Sequence, residues 1–337
     1  MRIVVTGGAG YLGTHTSLSL IAAGHEVTVV DNFSNASRDA VRRTSDLAGS
    51  DIPVVEGDLL DRHLLEEIFA ETRPDAVVHF AGLKSVGESN AKPLRYMTNN
   101  VSGTLQLLDA MDAAGVRRII FSSSATVYGV TETVPTAEDH PLSVTNPYGR
   151  TKLMTEDILR DLAASDPRWS IGILRYFNPV GAHPSAQIGE DPRGVPNNLV
   201  PFVGQVAVGR YEAVSVFGGD YPTPDGTGVR DYLHVMDLAE GHVAALDRIA
   251  SRTGVDVWNL GTGRGYSVLE VIRMYAEVSG RPIPYRIVER RPGDVAVSYA
   301  DASKAARDLG WRAVRSLREM IEDHWHWQDA NPNGYDA

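Results

Sequence analysis

The 337-residue chain contains no cysteine, which excludes disulfides, thiolate metal sites and a cysteine nucleophile. It also lacks any run near the roughly 18 apolar residues that a membrane helix needs. Positive charge is in deficit, with 32 Lys and Arg against 43 Asp and Glu and a net charge of −11. Such a surface repels phosphate backbones and anionic membranes, so no nucleic-acid or membrane partner is expected. His15, His79, His183, His234 and His242 are scattered without partners at ligand spacing, and no metal is expected. Gly at 32 and Pro at 18 residues fall short of a low-complexity composition. What is present is ordinary for a globular protein: 43% hydrophobic and 22% charged residues. The length suggests about two domains. A short apolar segment after Met1 runs straight into a glycine loop, so no secretory leader is expected and the cytoplasm is the expected compartment.

The first half alternates strand-like and helix-like segments. Ile3–Val5, Val27–Val30, Pro53–Glu56, Ala76–Phe80, Arg118–Phe121 and Ile171–Arg175 are largely apolar, with a strong β-branched content. Between them lie helical spacings, clearest at Tyr11–Ala23, Asp61–Glu71, Leu94–Ala114 and Tyr148–Ala164. Parallel strands need long crossovers, and strands covered on both faces need no polar alternation. The pattern predicts a doubly wound parallel α/β sheet of the Rossmann type over residues 1–177. A smaller, loop-rich α/β domain is expected over 178–337, with segments free to cross back.

Thr6-Gly7-Gly8-Ala9-Gly10-Tyr11-Leu12-Gly13 joins the first strand to the first helix. Gly7, Gly10 and Gly13 permit a tight turn, close backbone approach to a pyrophosphate, and close helix–strand packing. Asp31 ends the next strand, placed to accept from both hydroxyls of an adenosine ribose and to repel a 2′-phosphate. NAD is favoured over NADP. Asp58 and Phe80-Ala81-Gly82 follow strands three and four, where ligands of such sheets bind.

Strand five leads into Ser122-Ser123-Ser124, and further on comes Tyr148-Gly149-Arg150-Thr151-Lys152. Tyr148 and Lys152 share one helix face. Ionising a free tyrosine at pH 7 costs about 4 kcal/mol, and a neighbouring ammonium would favour the phenolate. Tyr148 is thus a candidate general base, although Tyr-x-x-x-Lys alone is a common spacing.

These motifs resemble the extended short-chain dehydrogenase/reductase superfamily. Within it, Phe80–Ser89, Ser122–Gly129, Arg175–Pro184 and Gly228–Tyr232 look like the UDP-glucose 4-epimerase family, over nearly the whole chain. The resemblance implies interconversion of UDP-glucose and UDP-galactose through a 4-keto sugar, with NAD tightly held, and a homodimer. It implies that Tyr148 takes the 4-OH proton, Ser124 bonds the 4-oxygen, and Lys152 holds the nicotinamide ribose. The same likeness implies a cofactor set of Gly7, Gly10, Tyr11, Leu12, Gly13, Asp31, Asn32, Asn35, Asp58, Leu59, Phe80, Ala81, Gly82, Lys84, Asn99, Ser124, Tyr148, Lys152 and Phe177. For the UDP-hexose it implies Asn178, Asn198, Leu199, Val216, Phe217, Arg230, Arg291, Asp294 and Ser298. Ser298 lies where strict members carry a bulky tyrosine, which implies room for a 2-acetamido group and activity on UDP-GlcNAc and UDP-GalNAc. A nucleotide-sugar 4,6-dehydratase is the nearest rival. That family places an Asp-Glu pair where this chain has Ala125-Thr126. An NADP-linked reductase is disfavoured by Asp31, and a non-catalytic NAD sensor by the intact Ser124, Tyr148 and Lys152.

Overall fold

A computed structural model describes residues 1–131, 133–291 and 293–335. Seven parallel strands form the main sheet: β1 (Arg2–Thr6), β2 (Glu26–Asp31), β3 (Val54–Glu56), β4 (Ala76–His79), β5 (Arg118–Ser124), β6 (Ser170–Tyr176) and β10 (Gly254–Leu260). Their order in space is β10-β6-β5-β4-β1-β2-β3. The chain winds outward from β1 to β3, then returns to place β4 on the other side of β1. That reversal opens a crevice at the carboxyl ends of β1 and β4, where such sheets bind ligands.

The smaller strands are β7 (Asn178–Val180), β8 (Val214–Phe217), β9 (Val229–His234), β11 (Gly265–Ser267), β12 (Tyr285–Val288) and β13 (Val297–Ser298). Twelve α-helices are assigned among the described residues. They are α1 (Tyr11–Ala22), α2 (Arg38–Ala48), α3 (Arg62–Thr72), α4 (Val86–Ala91), α5 (Pro93–Tyr96), α6 (Gly103–Ala113), α7 (Pro147–Ser165), α8 (Leu199–Ala207), α9 (Val235–Ala250), α10 (Val268–Ser279), α11 (Ser303–Leu309) and α12 (Leu317–Ala330). None is long and apolar enough to cross a membrane.

Alternating side chains of one strand enter different cores, because successive residues point to opposite faces. Ile3 and Val5 pack with Leu20 of α1 and Leu246 of α9. Val4 packs instead with Leu65 of α3, Leu107 of α6 and Leu159 of α7. Each such fully buried side chain contributes about 1.5–3 kcal/mol of transfer free energy. A third core joins α8, α10 and α12 through Val203, Tyr275 and Ile321.

Two features depart from the sequence pattern. Leu94–Ala114 is not one helix: it enters through α5, widens into a π-turn at Met97–Ser102, and resumes as α6. The wide turn delivers Asn100, whose side chain accepts from the Leu83 amide at 2.8 Å and donates to the Leu83 carbonyl at 2.9 Å. The second is β10, whose pairing with β6 lies beyond the six strands read from the sequence.

Candidate active site

The glycine loop is shaped by contacts that only glycine permits. Gly7 has φ +68°, and a Cβ there would sit 2.6 Å from the Ala81 amide nitrogen. A Cβ on Gly13 would sit 2.5 Å from the Gly7 carbonyl. The β1 and β4 ends and the start of α1 therefore meet in van der Waals contact around a hollow. Gly10 caps α1 without any side-chain acceptor, and no acidic residue stands in the first turn. The first-turn amides and the positive helix end are left for an external anion. These residues fit a dinucleotide diphosphate.

Asp31 ends β2 beside that hollow. Its Oδ2 accepts from the Ala9 amide at 3.0 Å and its Oδ1 from the Phe33 amide at 2.9 Å. Burial raises its pKa, and the two amides oppose the rise. Asp31 thus steadies the glycine loop from below. Asn32 donates to Asp58 at 2.8 Å, and Asn35 accepts from the Arg193 amide. Phe80 packs against His242 with ring centres 4.8 Å apart. Gly82 adjoins the Asn100 amide oxygen, to which Asn99 also donates at 3.0 Å. Leu59 is buried in the second core and Leu12 packs against the first, so their side chains support the site from within. Tyr11 donates to the Gly181 carbonyl at 2.8 Å, tying α1 to the segment beyond β7.

The catalytic candidates converge from two elements. Asn146 caps α7 by accepting from the Gly149 amide, and Pro147 occupies the first turn. That start points Tyr148 and Lys152 along one face toward the end of β5. Lys152 is 6% exposed, and its ammonium donates to the Ser122 carbonyl at 2.7 Å. It lies 5.9 Å from the Tyr148 ring centre and 4.9 Å from that of Phe121. Burial lowers its pKa to about 8, and the Glu156 carboxylate opposes the fall. Burial raises the Tyr148 phenol, whereas the Ser124 hydroxyl favours its ionised form. Ser124 in turn accepts from the Thr126 amide and hydroxyl at 3.2 and 3.0 Å. Tyr148, Ser124 and Lys152 are one cluster.

Further candidates lie along β7, α8, β9 and the segment before β13. Phe177 is buried with Val127, Tyr128 and Ala300. Asn178 starts β7, paired in register with Tyr232. Asn198 stands at the N-cap of α8 without capping it, and donates to Glu190 at 3.2 Å. Lys84 donates to the same Glu190 oxygen at 3.0 Å, so one buried carboxylate joins a residue expected at the cofactor to one expected at the substrate. Leu199 opens α8. Arg230 pairs with Asp294, and the Arg291 guanidinium lies 3.8 Å above the Phe217 ring. Desolvation lowers the Arg291 pKa although the residue remains exposed, and its planar fork suits an anion. Ser298 pairs with Arg230 across β13 and β9. The Val216 side chain is turned into the third core, leaving only its backbone to face a ligand. A cavity of about 410 Å³, lined in part by Tyr221, Arg290, Asp294 and Val297, borders this group.

Sequence reasoning missed Glu190, the Ser122 carbonyl and Glu156. The last was within reach, since it follows Tyr148 and Lys152 at the next four-residue step of the same helix.

Residues 3–261 match the model of the NAD dependent epimerase/dehydratase family. The chain is 59% identical over 335 residues to the UDP-glucose 4-epimerase of Bacillus subtilis (strain 168), covering 99% of each chain. It is similar to the crystal structure of the Bifidobacterium longum UDP-glucose 4-epimerase in complex with NAD+ and UDP. That likeness has a TM-score of 0.97 at 54% identity, covering 99% of this chain and 100% of that one. The UDP-Glc/GlcNAc 4-epimerase of Campylobacter jejuni superposes with a TM-score of 0.85 at 36% identity, over 98% of this chain and 99% of that one.

Proposed function

Because the chain belongs to the NAD dependent epimerase/dehydratase family, we propose that it is a UDP-glucose 4-epimerase, interconverting UDP-glucose and UDP-galactose. The observation that carries this reading is the cluster of Ser124, Tyr148 and Lys152 at the same sheet end as the glycine hollow. Bound NAD supplies a hydride acceptor, and then a donor, for C4 of the sugar.

The chain's own residues do the rest. Tyr148 takes the proton from the sugar 4-OH and later returns it. Ser124 holds the 4-oxygen, and Lys152 makes the phenolate tolerable. Gly7, Gly10, Gly13, Asp31 and Asn99 hold the dinucleotide, with Lys84 beside them. Arg230 and Arg291 hold the sugar-nucleotide diphosphate, since a guanidinium can donate two hydrogen bonds at once. Asn178, Asn198, Leu199 and Phe217 line the same side. The sugar ring must turn between the two hydride transfers, so binding energy has to be placed on the UDP handle. Thr126 bonds Ser124 where a 4,6-dehydratase would need an acid pair, which disfavours that rival.

Activity on N-acetylated UDP-sugars belongs to the proposal, supported by the small Ser298 side chain. So do residence in the cytoplasm, a division at residues 177/178 with later segments crossing back to the first domain, and a homodimer. Leu94 on α5, Leu105 on α6 and Met154 on α7 are exposed apolar side chains that a second copy would cover. The test is to incubate the purified protein with UDP-galactose, adding no NAD, and to look for UDP-glucose. No product, even after NAD is supplied, would remove the epimerase reading.

A further inference from the structure

Glu156 lies one turn beyond Lys152 on α7 and is wholly buried. Ser123 Oγ donates to its Oε1 at 2.6 Å. Arg175 donates through Nε to Oε1 at 2.9 Å and through Nη2 to Oε2 at 2.6 Å. Arg160 adds a bond to Oε2 at 2.8 Å. On its far side Arg175 donates to the Tyr128 hydroxyl and the Glu138 carbonyl, each at 3.0 Å. A buried ion pair seldom out-stabilises a well-packed apolar one, because desolvation offsets the attraction. Fold stability alone does not account for a carboxylate here.

Its placement does. Ser123 stands between Ser122, whose carbonyl takes the Lys152 ammonium, and Ser124, whose hydroxyl faces Tyr148. Gripping Ser123 fixes both neighbours. The charged and titratable groups around Lys152 are few. On α7 there are Tyr148 and Glu156. On β4 there is His79, buried and held neutral with a pKa of about 3. On β5 there are only carbonyls, hydroxyls and the Phe121 ring. On β6 there are Arg175, spent on Glu156, and Tyr176, whose hydroxyl meets His242 at 2.9 Å. Among the described residues Glu156 is the acid that supports the ammonium.

We propose that Glu156 is a positioning residue for the epimerase centre, keeping the Lys152 ammonium charged beside Tyr148 and holding the β5 end that carries Ser122 and Ser124. The inference rests on the reading of Tyr148 as base and Lys152 as its cation. Glu156 touches no reacting atom; it acts through Lys152 and Ser123.

The test uses the NAD-loaded protein. In Glu156→Gln, kcat at neutral pH is expected to fall about tenfold or more, with KM for UDP-galactose nearly unchanged. The pH range of activity should narrow from both sides, since an unsupported Lys152 discharges earlier and the phenol ionises later. Glu156→Asp, which keeps the charge, should recover much of the range. Glu156→Gln/Arg175→Met removes both buried ions and guards against simple misfolding; it too should show the narrowed range. A folded, NAD-loaded Glu156→Gln with wild-type pH limbs overturns the proposal. So does a loss of kcat that merely follows the loss of folded protein. Tyr148→Phe separates the two layers. If it retains turnover, the reading of the base falls and this inference with it. If it is inactive while Glu156→Gln keeps the wild-type profile, only the role of Glu156 falls.

Discussion

Lys152 reaches across from α7 to the backbone of β5, its ammonium 2.7 Å from the Ser122 carbonyl and 5.9 Å from the Tyr148 ring centre. A cation fixed in this way cannot swing out to solvent when the cleft is empty. Its charge is therefore available to the phenol before any ligand arrives. Burial disfavours both charged forms in the ligand-free protein, and the cationic ring of bound NAD, together with the Lys152 ammonium, would favour the phenolate. The active form would couple that phenolate to the ammonium.

From that coupling we expect kcat to rise and fall with pH. The alkaline fall should set in near pH 8, where Lys152 discharges. In Lys152→Met the fall should disappear and the rise should move to higher pH. Initial rates of UDP-galactose turnover from pH 6 to 10 check this, and a Lys152→Met profile identical to wild type would refute it. The sign for stability is separate. A lysine whose folded pKa lies below its unfolded value of about 10.4 disfavours folding while both forms are charged. That penalty is relieved as pH rises from about 8 toward the unfolded value.

Tyr148→Phe removes the proton carrier and leaves the ring. Loss of general acid–base help is worth about 10²–10⁴-fold, and kcat should fall by that much with little change in KM. NAD released on denaturation should still match the protein in amount. A variant that turns over within a few fold of wild type would require another base.

Gly7→Ala places a side chain where none fits. A left-handed backbone costs a non-glycine residue about 1–2 kcal/mol, and overpacking against Ala81 costs about 1–3 kcal/mol more. The variant should melt earlier and retain less NAD through purification. Unchanged melting with full cofactor content would show that the loop relaxes around the methyl group.

Ser298→Tyr should separate the two substrate pairs. Ser298 is held in register with Arg230, so a bulky side chain there would occupy space beside the diphosphate clamp. Conversion of UDP-GlcNAc to UDP-GalNAc should fall about 10–200-fold, the range steric discrimination achieves. Turnover of UDP-galactose should persist. Wild-type protein that makes no UDP-GalNAc at all would sink the broader specificity.

The parts legible in the sequence are those that local backbone rules dictate. Gly7 and Gly13 stand where a Cβ would collide, and Pro147 starts a helix where its missing amide costs nothing. Tyr148 and Lys152 share a face because helical geometry requires it. The illegible parts are set by contacts between distant segments. Nothing near Asn100 announces a π-turn, which follows from the grip of its side chain on Leu83. Glu156 reads as an ordinary helical acid until Arg175 and Ser123, from two different strands, close around it. Lys84 and Asn198 meet at Glu190 although more than a hundred residues separate the first from the other two.

The seventh strand has a bearing on how the protein can be divided. β10 lies between β11 and α9 in the chain yet covers β6 along its full length, from Ser170 to Tyr176. A polypeptide stopped at residue 177 would present seven residues of β6 as a raw edge, its amides and carbonyls open to any passing strand. It would also lose α9, which seals one face of the sheet. The half expected to hold the dinucleotide is thus sewn shut by sequence that arrives only when about half of the other part has been made. On a ribosome, that edge of the sheet stays open until the closing stitch is made.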